Sequence, residues 1–423
     1  MTSQAAGDGS GGGDGRGARR VVVAGGGVAG LEAALALHHL APDLADVTLV
    51  APEPEFTMKP LAVNEPFALE PPERHELGPA MEQLGFGFVL DGVVAVHPDT
   101  HEVGLASGDR LPYDFLICAI GGRARPAYER AETFWASRSD LAINELLDRA
   151  ADAPGRTLTF IVPPGCSWPL PLYEVALMAR TRADERGPYG VGLRIVTPEA
   201  APLGVFGEPA SHAVADLLRA RAIAVTCGAS VVEDQSGLRM VPSGEAVVEG
   251  PVIALPTIEG PGLDGLPADE HGFVPIDPHA RVRGVEDVYA AGDGANFPIK
   301  QGGIATQQAD AAVEHIASRL GAGVEPAPFE PVLRGQLITG AESLHMRHGL
   351  TGGQGEGTTS LDYLWWPPGK IAGRYLTPWL LGTDLGESLE APGHPLDVEV
   401  SLPHEWHAEP MAMSPHPAPP RDG

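Results

Sequence analysis

The stretch RRVVVAGGGVAGLEAALAL (Arg19–Leu37) leaves little freedom in how this chain begins to fold. The valine run reads as a buried strand and LEAALAL as a helix, with three consecutive glycines between them. Gly25, Gly27 and Gly30 make the pattern G-x-G-x-x-G. The first glycine allows a tight turn, the second lets backbone approach a pyrophosphate, and the third lets helix and strand pack closely. The helix start at Val28 and Ala29 adds unpaired N–H donors and the positive end of the helix dipole. A dinucleotide suits this geometry; the plain alternative is a tight strand–helix turn and nothing more.

ADVTLVAP (Ala45–Pro52) completes a β-α-β unit. An acid is expected at the end of its strand to bind the adenosine ribose hydroxyls, but Ala51 stands there. Glu53, two residues on, reads equally as that acid or as a solvated loop charge. The segment Phe86–Gly122 alternates apolar and polar residues, with turns at Pro98-Asp99 and Ser107-Gly108-Asp109. It is expected to form an antiparallel meander that ends in one buried strand, Phe115–Ile120.

From about Pro126 the α/β pattern restarts. Helices are expected at Asp140–Ala151, Tyr173–Arg186 and Ser211–Ala222, and strands at Thr157–Pro164, Gly192–Glu199 and AIAVTCGASVVE. Near Gly260 the chain returns to the first unit. EDVYAAGDGANFPIKQGGIATQQADAAVEHIA (Glu286–Ala317) supplies a strand, a turn bearing Asp293 and a helix that Gly321 closes. The expected fold is α/β, with two Rossmann-like dinucleotide-binding domains, the second inserted into the first, and a C-terminal cap. The expected parts are a disordered tail 1–18, a first flavin-type part 19–125, a second NAD(P)-type domain 126–260, a return segment 261–322, an aromatic cap 323–390 and a Pro-rich tail 391–423.

Two segments carry a family resemblance. LPYDFLICAIGG resembles the strand that joins the two domains in the pyridine nucleotide–disulfide oxidoreductase superfamily, and VEDVYAAGD resembles its third signature. The resemblance implies FAD, held non-covalently, with Asp293 on the flavin ribityl chain or its phosphate. It further implies that N–H groups at Gly302, Gly303 and Ile304 face the flavin pyrimidine edge, where the dipole would stabilise negative charge on reduced flavin. Lys59, Pro60, Val93, Ala119, Gly121 and Gly292 are carried over with them as cofactor contacts. Within the superfamily the chain is most similar to sulfide:quinone oxidoreductases and type II NADH dehydrogenases, through VTLVAPEPEFTMKPLAV, NFPIKQGGIATQQAD and the aromatic C-terminal segment. That implies an FAD-dependent oxidoreductase with small-molecule electron donor and acceptor, the acceptor being a quinone or similar carrier.

The second domain differs from its nicotinamide-using relatives. FIVPPGCSWPLPLYEVALMA (Phe160–Ala179) stands where another glycine fingerprint is expected, and its prolines replace the glycines. NAD(P)H binding is therefore doubtful, although a dehydrogenase with an atypical nicotinamide site stays open, as does a flavin-binding scaffold or sensor without turnover. No C-x4-C or C-x-x-C is present, which argues against disulfide reduction. Cys166 reads as a redox thiol or as a small core residue; sulfide oxidation in the similar family uses a partner cysteine, and Cys118 and Cys227 are not in the expected C-terminal third. Glu174 reads as a proton donor or acceptor, or as a carboxylate that complements its own helix dipole. Lys300 reads as a residue over the flavin or in a quinone pocket, or as a solvated charge.

The formal charge of −28 argues against nucleic acid and anionic membrane surfaces. The aromatic stretch around Trp365, Trp366, Tyr375 and Trp379 reads as capping core or as a quinone and membrane contact. No basic face supports the membrane reading. Three scattered cysteines fit a reducing cytoplasm. No 18-residue apolar run is present, and the Arg19-Arg20 pair is not read as an export signal because the apolar residues after it belong to the glycine turn. A homodimer is compatible with the family layout. No metal site is expected; the His404–His407 spacing does not fit the zinc-protease helix.

Overall fold

The computed structural model describes residues 17–69, 72–135, 142–185, 187, 190–247, 250–350, 357–386 and 389. The expected tails, including His404 to His407, fall almost wholly outside these residues. Arg19–Ala24 forms the centre of a five-stranded parallel sheet in the spatial order Val288–Ala290, Phe115–Cys118, Arg19–Ala24, Ala45–Ala51, Gly87–Leu90. Val21, Val23, Leu49 and Ile117 are fully buried, as the near-continuous apolar strands of a parallel sheet covered on both faces require. Two helices, Val28–Leu40 and Gly302–Leu320, pack against one another beside the sheet. Gly321 ends the second with φ +88 in the left-handed region, as expected of a C-cap glycine.

One expectation about this sheet needs correction. The segment after Phe86 is not all meander: Gly87–Leu90 joins the parallel sheet as its edge strand, beside Ala45–Ala51. Only Val93–His97, Glu102–Leu105 and Arg110–Pro112 form the antiparallel meander. Alternation along a half-buried edge strand is the same in either sheet, so periodicity could not separate them.

A second five-stranded parallel sheet has the order Glu132–Thr133, Val252–Ala254, Thr157–Ile161, Gly192–Val196, Ile223–Thr226. AIAVTCGASVVE is two strands, not one: Ile223–Thr226 lies in the sheet and Ser230–Asp234 opens a hairpin with Gly237–Val241. A short antiparallel ladder, Arg123–Arg125 with Thr257–Glu259, carries the chain out to this sheet and back. The helices that flank it are Ile143–Asp152, Leu170–Glu185 and Glu208–Ala220, within a few residues of expectation. The protein is therefore α/β, with parallel sheets at its centre.

The C-terminal part adds a three-stranded antiparallel sheet, Val332–Leu337, Leu344–Gly349 and Thr358–Ser360, and a one-turn helix, Leu376–Leu381. Trp365 and Tyr375 point inward and are buried, whereas Trp366 is 47% exposed. Among the described residues no helix is long and apolar enough to cross a membrane.

Candidate functional site

The glycine fingerprint and Asp293 meet at the carboxyl ends of the first sheet, where ligands of open α/β sheets bind. Gly25 has φ +113, and a Cβ there would stand 2.2 Å from the Ala119 carbonyl oxygen. A Cβ on Gly30 would stand 1.8 Å from the Gly25 carbonyl oxygen. These two glycines are demanded by the protein's own backbone. Gly27 is different: a Cβ there meets nothing within 4 Å, so its Cα faces open space at the start of the helix. Gly26 is also constrained, by Leu77 and Ala51, which the pattern did not reveal.

The distant segment closes onto this turn. Gly292, with φ +80, lies where a Cβ would be 3.3 Å from the Ala29 side chain and 3.6 Å from that of Ala305. Its N–H donates to Gln308 Oε1 at 2.8 Å, which fixes the peptide just before Asp293. The Gly294 backbone comes close to the Gly121 carbonyl oxygen. Ala119 donates its N–H to Ala24 at 2.7 Å, and so ties the joining strand to the fingerprint strand. Burial raises the Asp293 carboxyl above its usual range, opposed by the positive charges of Lys300 and Lys59.

Lys300 is only 9% exposed. Its ammonium bonds the Ala295 carbonyl and lies 3.8 Å from the centre of the Phe273 ring. Burial brings its pKa down to about 8, against the pull of Asp293 and Asp269. It is not a solvated charge: it braces the Asp293 loop. Lys59 is exposed and Pro60 partly so, at the start of the turn Lys59–Phe67; Glu53 is exposed; Val93 opens the meander.

At the helix start the expectation for Ile304 is corrected. Its N–H is taken by the Gln301 side chain, which accepts at 2.9 Å as the N-cap. Gly302 and Gly303 keep first-turn N–H groups that have no intrahelical acceptor. Gln301 in turn donates to the Arg334 carbonyl at 3.0 Å, which ties this terminus to the C-terminal sheet.

Glu174 is joined to the C-terminal part of the chain. It is fully buried on the helix Leu170–Glu185. Its Oε1 forms an ion pair with Lys370 of the C-terminal part and accepts the Ile338 N–H at 2.7 Å. Lys370 also donates to the Gln336 carbonyl at 2.7 Å. The neighbouring Ile371 packs on Gly302, where a Cβ would stand 2.9 Å from its Cδ1, so the pair lies beside the helix start. Burial raises the Glu174 carboxyl and lowers the Lys370 ammonium, and each charge opposes the effect on the other.

The thiols are not activated. Burial pushes Cys166 up to about 12, and Cys118 likewise. Low-pKa thiolates need nearby cations or a helix N-terminus, and Cys166 instead has Glu199 as its charged neighbour. In the second sheet the strand Thr157–Ile161 leads through Val162–Pro169 before the helix begins at Leu170. Pro163 and Pro164 bring no N–H to this turn. Glu199, at the end of the next strand, accepts from Tyr173 Oη at 2.7 Å and from Thr197 Oγ1 at 2.9 Å.

A second carboxyl site was not anticipated. Glu32, 0% exposed on the fingerprint helix, accepts the N–H groups of Tyr375 at 3.0 Å and Leu376 at 2.7 Å. Asp310, on the partner helix, is hydrogen-bonded to it, and Arg374 and Glu314 are the other charges facing the pair. The sole charge inside AGLEAALAL was the signal available in the sequence.

Burial raises Glu32 to about 6, and it raises Asp310 well above its usual range. Carboxyls raised in the folded state stabilise it fully only below their unfolded values, and that contribution is lost as pH rises through the folded ones. The shift of Glu32 corresponds to about 2 kcal/mol. Asp310→Asn should therefore melt closer to wild type, or above it, at pH 8 than at pH 5. Thermal melts of the two proteins at both pH values check this; equal spacing at the two would contradict it.

Comparison with known proteins agrees with this geometry. The family model described as pyridine nucleotide-disulphide oxidoreductase matches residues 7–151. The sulfide-quinone reductase of Aquifex aeolicus (strain VF5) is 30% identical over 197 residues, 45% of each chain. The chain thus aligns with about half the length of that curated relative. The crystal structure of the sulfide:quinone oxidoreductase from Aquifex aeolicus superposes with a TM-score of 0.70 at 21% identity, covering 81% of this chain and 87% of that one. The chain is thus similar in its N-terminal part to the pyridine nucleotide–disulphide oxidoreductase family, and in fold to the Aquifex enzyme. A similar two-sheet fold is found in the ferredoxin reductase for the CYP199A2 system of Rhodopseudomonas palustris, with a TM-score of 0.58 at 19% identity, covering 79% of this chain and 83% of that one.

Proposed function

We propose that this chain is a member of the pyridine nucleotide–disulphide oxidoreductase superfamily, an FAD-dependent oxidoreductase that passes two electrons through a non-covalent flavin to a quinone-type acceptor. The observation that carries FAD is the cradle itself. Gly27 faces open space at a helix N-terminus, the first-turn N–H groups are available, and Asp293 is brought to the same place from the far end of the chain. Gly25, Gly27, Val28, Ala29 and Gly30 would hold the pyrophosphate, Asp293 the ribityl side, and the Gly302 and Gly303 amides the flavin ring. FAD supplies the two-electron redox chemistry. The protein's part is to bind it, orient it and manage protons.

The quinone acceptor is supported by the name of the Aquifex relative and by the buried Glu174–Lys370 pair beside Gly302. An acceptor that becomes a hydroquinone needs protons where water is scarce, and an ammonium–carboxylate pair can deliver one. NAD(P)H is disfavoured as donor: the Pro163-Pro164 turn offers no amides for a pyrophosphate, and Glu199 is held by Tyr173 and Thr197 where a ribose acid would be. With Cys166 and Cys118 both held as protonated thiols, sulfide oxidation through a reactive cysteine pair is disfavoured as well. The free thiols support a reducing, cytoplasmic setting.

The reading predicts that FAD-loaded protein keeps its visible flavin band under anaerobic millimolar NADH or NADPH, and that photoreduced protein is rapidly reoxidised by a benzoquinone. Rapid bleaching by NADH would move the assignment to a dehydrogenase with an atypical nicotinamide site. Failure of every quinone to reoxidise the flavin would sink the acceptor assignment.

A further inference from the structure

His345 lies in the middle strand of the C-terminal sheet, directly opposite Gln336 on one side and Ser360 on the other. It is only 3% exposed, yet neither ring nitrogen has a hydrogen-bond partner of normal geometry. Burying a polar group without a partner is costly, so such a ring calls for a reason. Packing is part of it: the imidazole lies 4.2 Å from the Tyr363 ring and 5.6 Å from that of Trp365. Packing alone would be served as well by an apolar ring.

Its polar surroundings are more telling. Across the ladder, the carbonyl of Gln336 accepts the Lys370 ammonium, and Lys370 pairs with Glu174. Trp365 Nε1 donates to the Gly369 carbonyl at 3.2 Å, which fixes the turn that presents Lys370. The second carboxylate oxygen of Glu174 is also buried and unpartnered. On the outer side are the exposed Asp362 and the backbone carbonyls of Ser360 and Leu361, while Tyr363, 39% exposed, forms the roof. The charged groups that act on the ring are thus Lys370 from within and Asp362 from the surface. A buried imidazole whose nitrogens make no hydrogen bond of normal geometry and face only the Ser360 and Leu361 carbonyls, acted on by a solvated carboxylate and a buried ammonium, has the form of a proton carrier.

The geometry points to His345 as the residue that returns protons from solvent to the Lys370–Glu174 pair after each acceptor reduction. This rests on the acceptor reading above. Reduction of a quinone to a hydroquinone takes up two electrons and two protons. Bound flavin in its two-electron-reduced form would supply both electrons and one proton, and Lys370 would hold the second proton and give it to the quinone oxygen. The neutral amine is then reprotonated from His345 through bridging water, and the ring takes its proton back from solvent on the Asp362 side.

The experiment uses FAD-loaded, photoreduced protein, so that no natural donor is needed. Reoxidation by a water-soluble benzoquinone is followed under multiple-turnover conditions for wild type and His345→Gln. A second variant, His345→Phe, keeps the ring packing. Both variants should lower turnover by 10-fold or more above pH 7 with an unchanged KM for the quinone, and added imidazole should restore part of the rate. An independent readout follows the His345 imidazole by NMR. Its titration should move in the Glu174→Gln/Lys370→Met protein, because the ion pair beside it has been removed. Unchanged turnover in folded variants, or a loss that is equal at every pH and indifferent to imidazole, overturns the relay. An unmoved His345 titration overturns it too. If wild type fails to reduce any quinone while the titration does move, the acceptor assignment fails and the electrostatic coupling stands.

Discussion

Lys370→Met should destabilise the protein by about 3–5 kcal/mol, the usual cost of stripping one partner from a buried ion pair. Glu174 is fully buried, its Oε1 would keep only the Ile338 N–H, and its Oε2 has no partner to begin with. The double variant Glu174→Gln/Lys370→Met should recover most of the loss, since replacing both charges removes the desolvation cost along with the attraction. Urea unfolding of the three proteins forms the thermodynamic cycle. A single variant as stable as wild type would mean that water reaches the pair, and with it that the site is too wet to serve as a controlled proton source.

The second large effect separates fold from ligand within the glycine fingerprint. Gly25→Ala puts a Cβ 2.2 Å from a backbone oxygen, at a φ that L residues rarely adopt. No rotamer change can relieve a backbone contact, so this variant should lose stability on the order of 3–5 kcal/mol and lose flavin with it. Gly27→Asp has open space around its Cβ and should melt within a few degrees of wild type. It nonetheless places a carboxylate where the pyrophosphate is held. Two like charges at about 4 Å repel by roughly 4 kcal/mol in a partly screened site, which corresponds to about a thousandfold loss of FAD affinity. Equal FAD binding by Gly27→Asp and wild type would place the cofactor elsewhere.

What the sequence made legible was local. The fingerprint, Asp293 and the helix that Gly321 ends all declare themselves within a strand–turn–helix, where periodicity and glycine chemistry act over a few residues. What it hid was pairing over distance. Glu174 meets Lys370 across 196 positions, and Glu32 reaches Leu376 across 344; no pattern in either segment names the other. The Gln301 cap on Ile304 was hidden for a different reason. Which amides a helix start offers to a ligand depends on a side-chain rotamer, and composition says nothing of it. Cys166 shows the limit from the other side. A thiol at a strand–helix turn looks reactive, and only its burial beside Glu199 shows it held in the protonated form.

The fold and the two halves of the site agree on one cofactor, and that agreement is open to a direct measurement. Apoprotein titrated with FAD by calorimetry, followed by a visible spectrum of the complex, should show one tight site per chain and a protein-perturbed flavin band. Protein that stays colourless after purification and takes up no FAD would contradict the assignment of Gly25–Gly30 and Asp293 as a single flavin site.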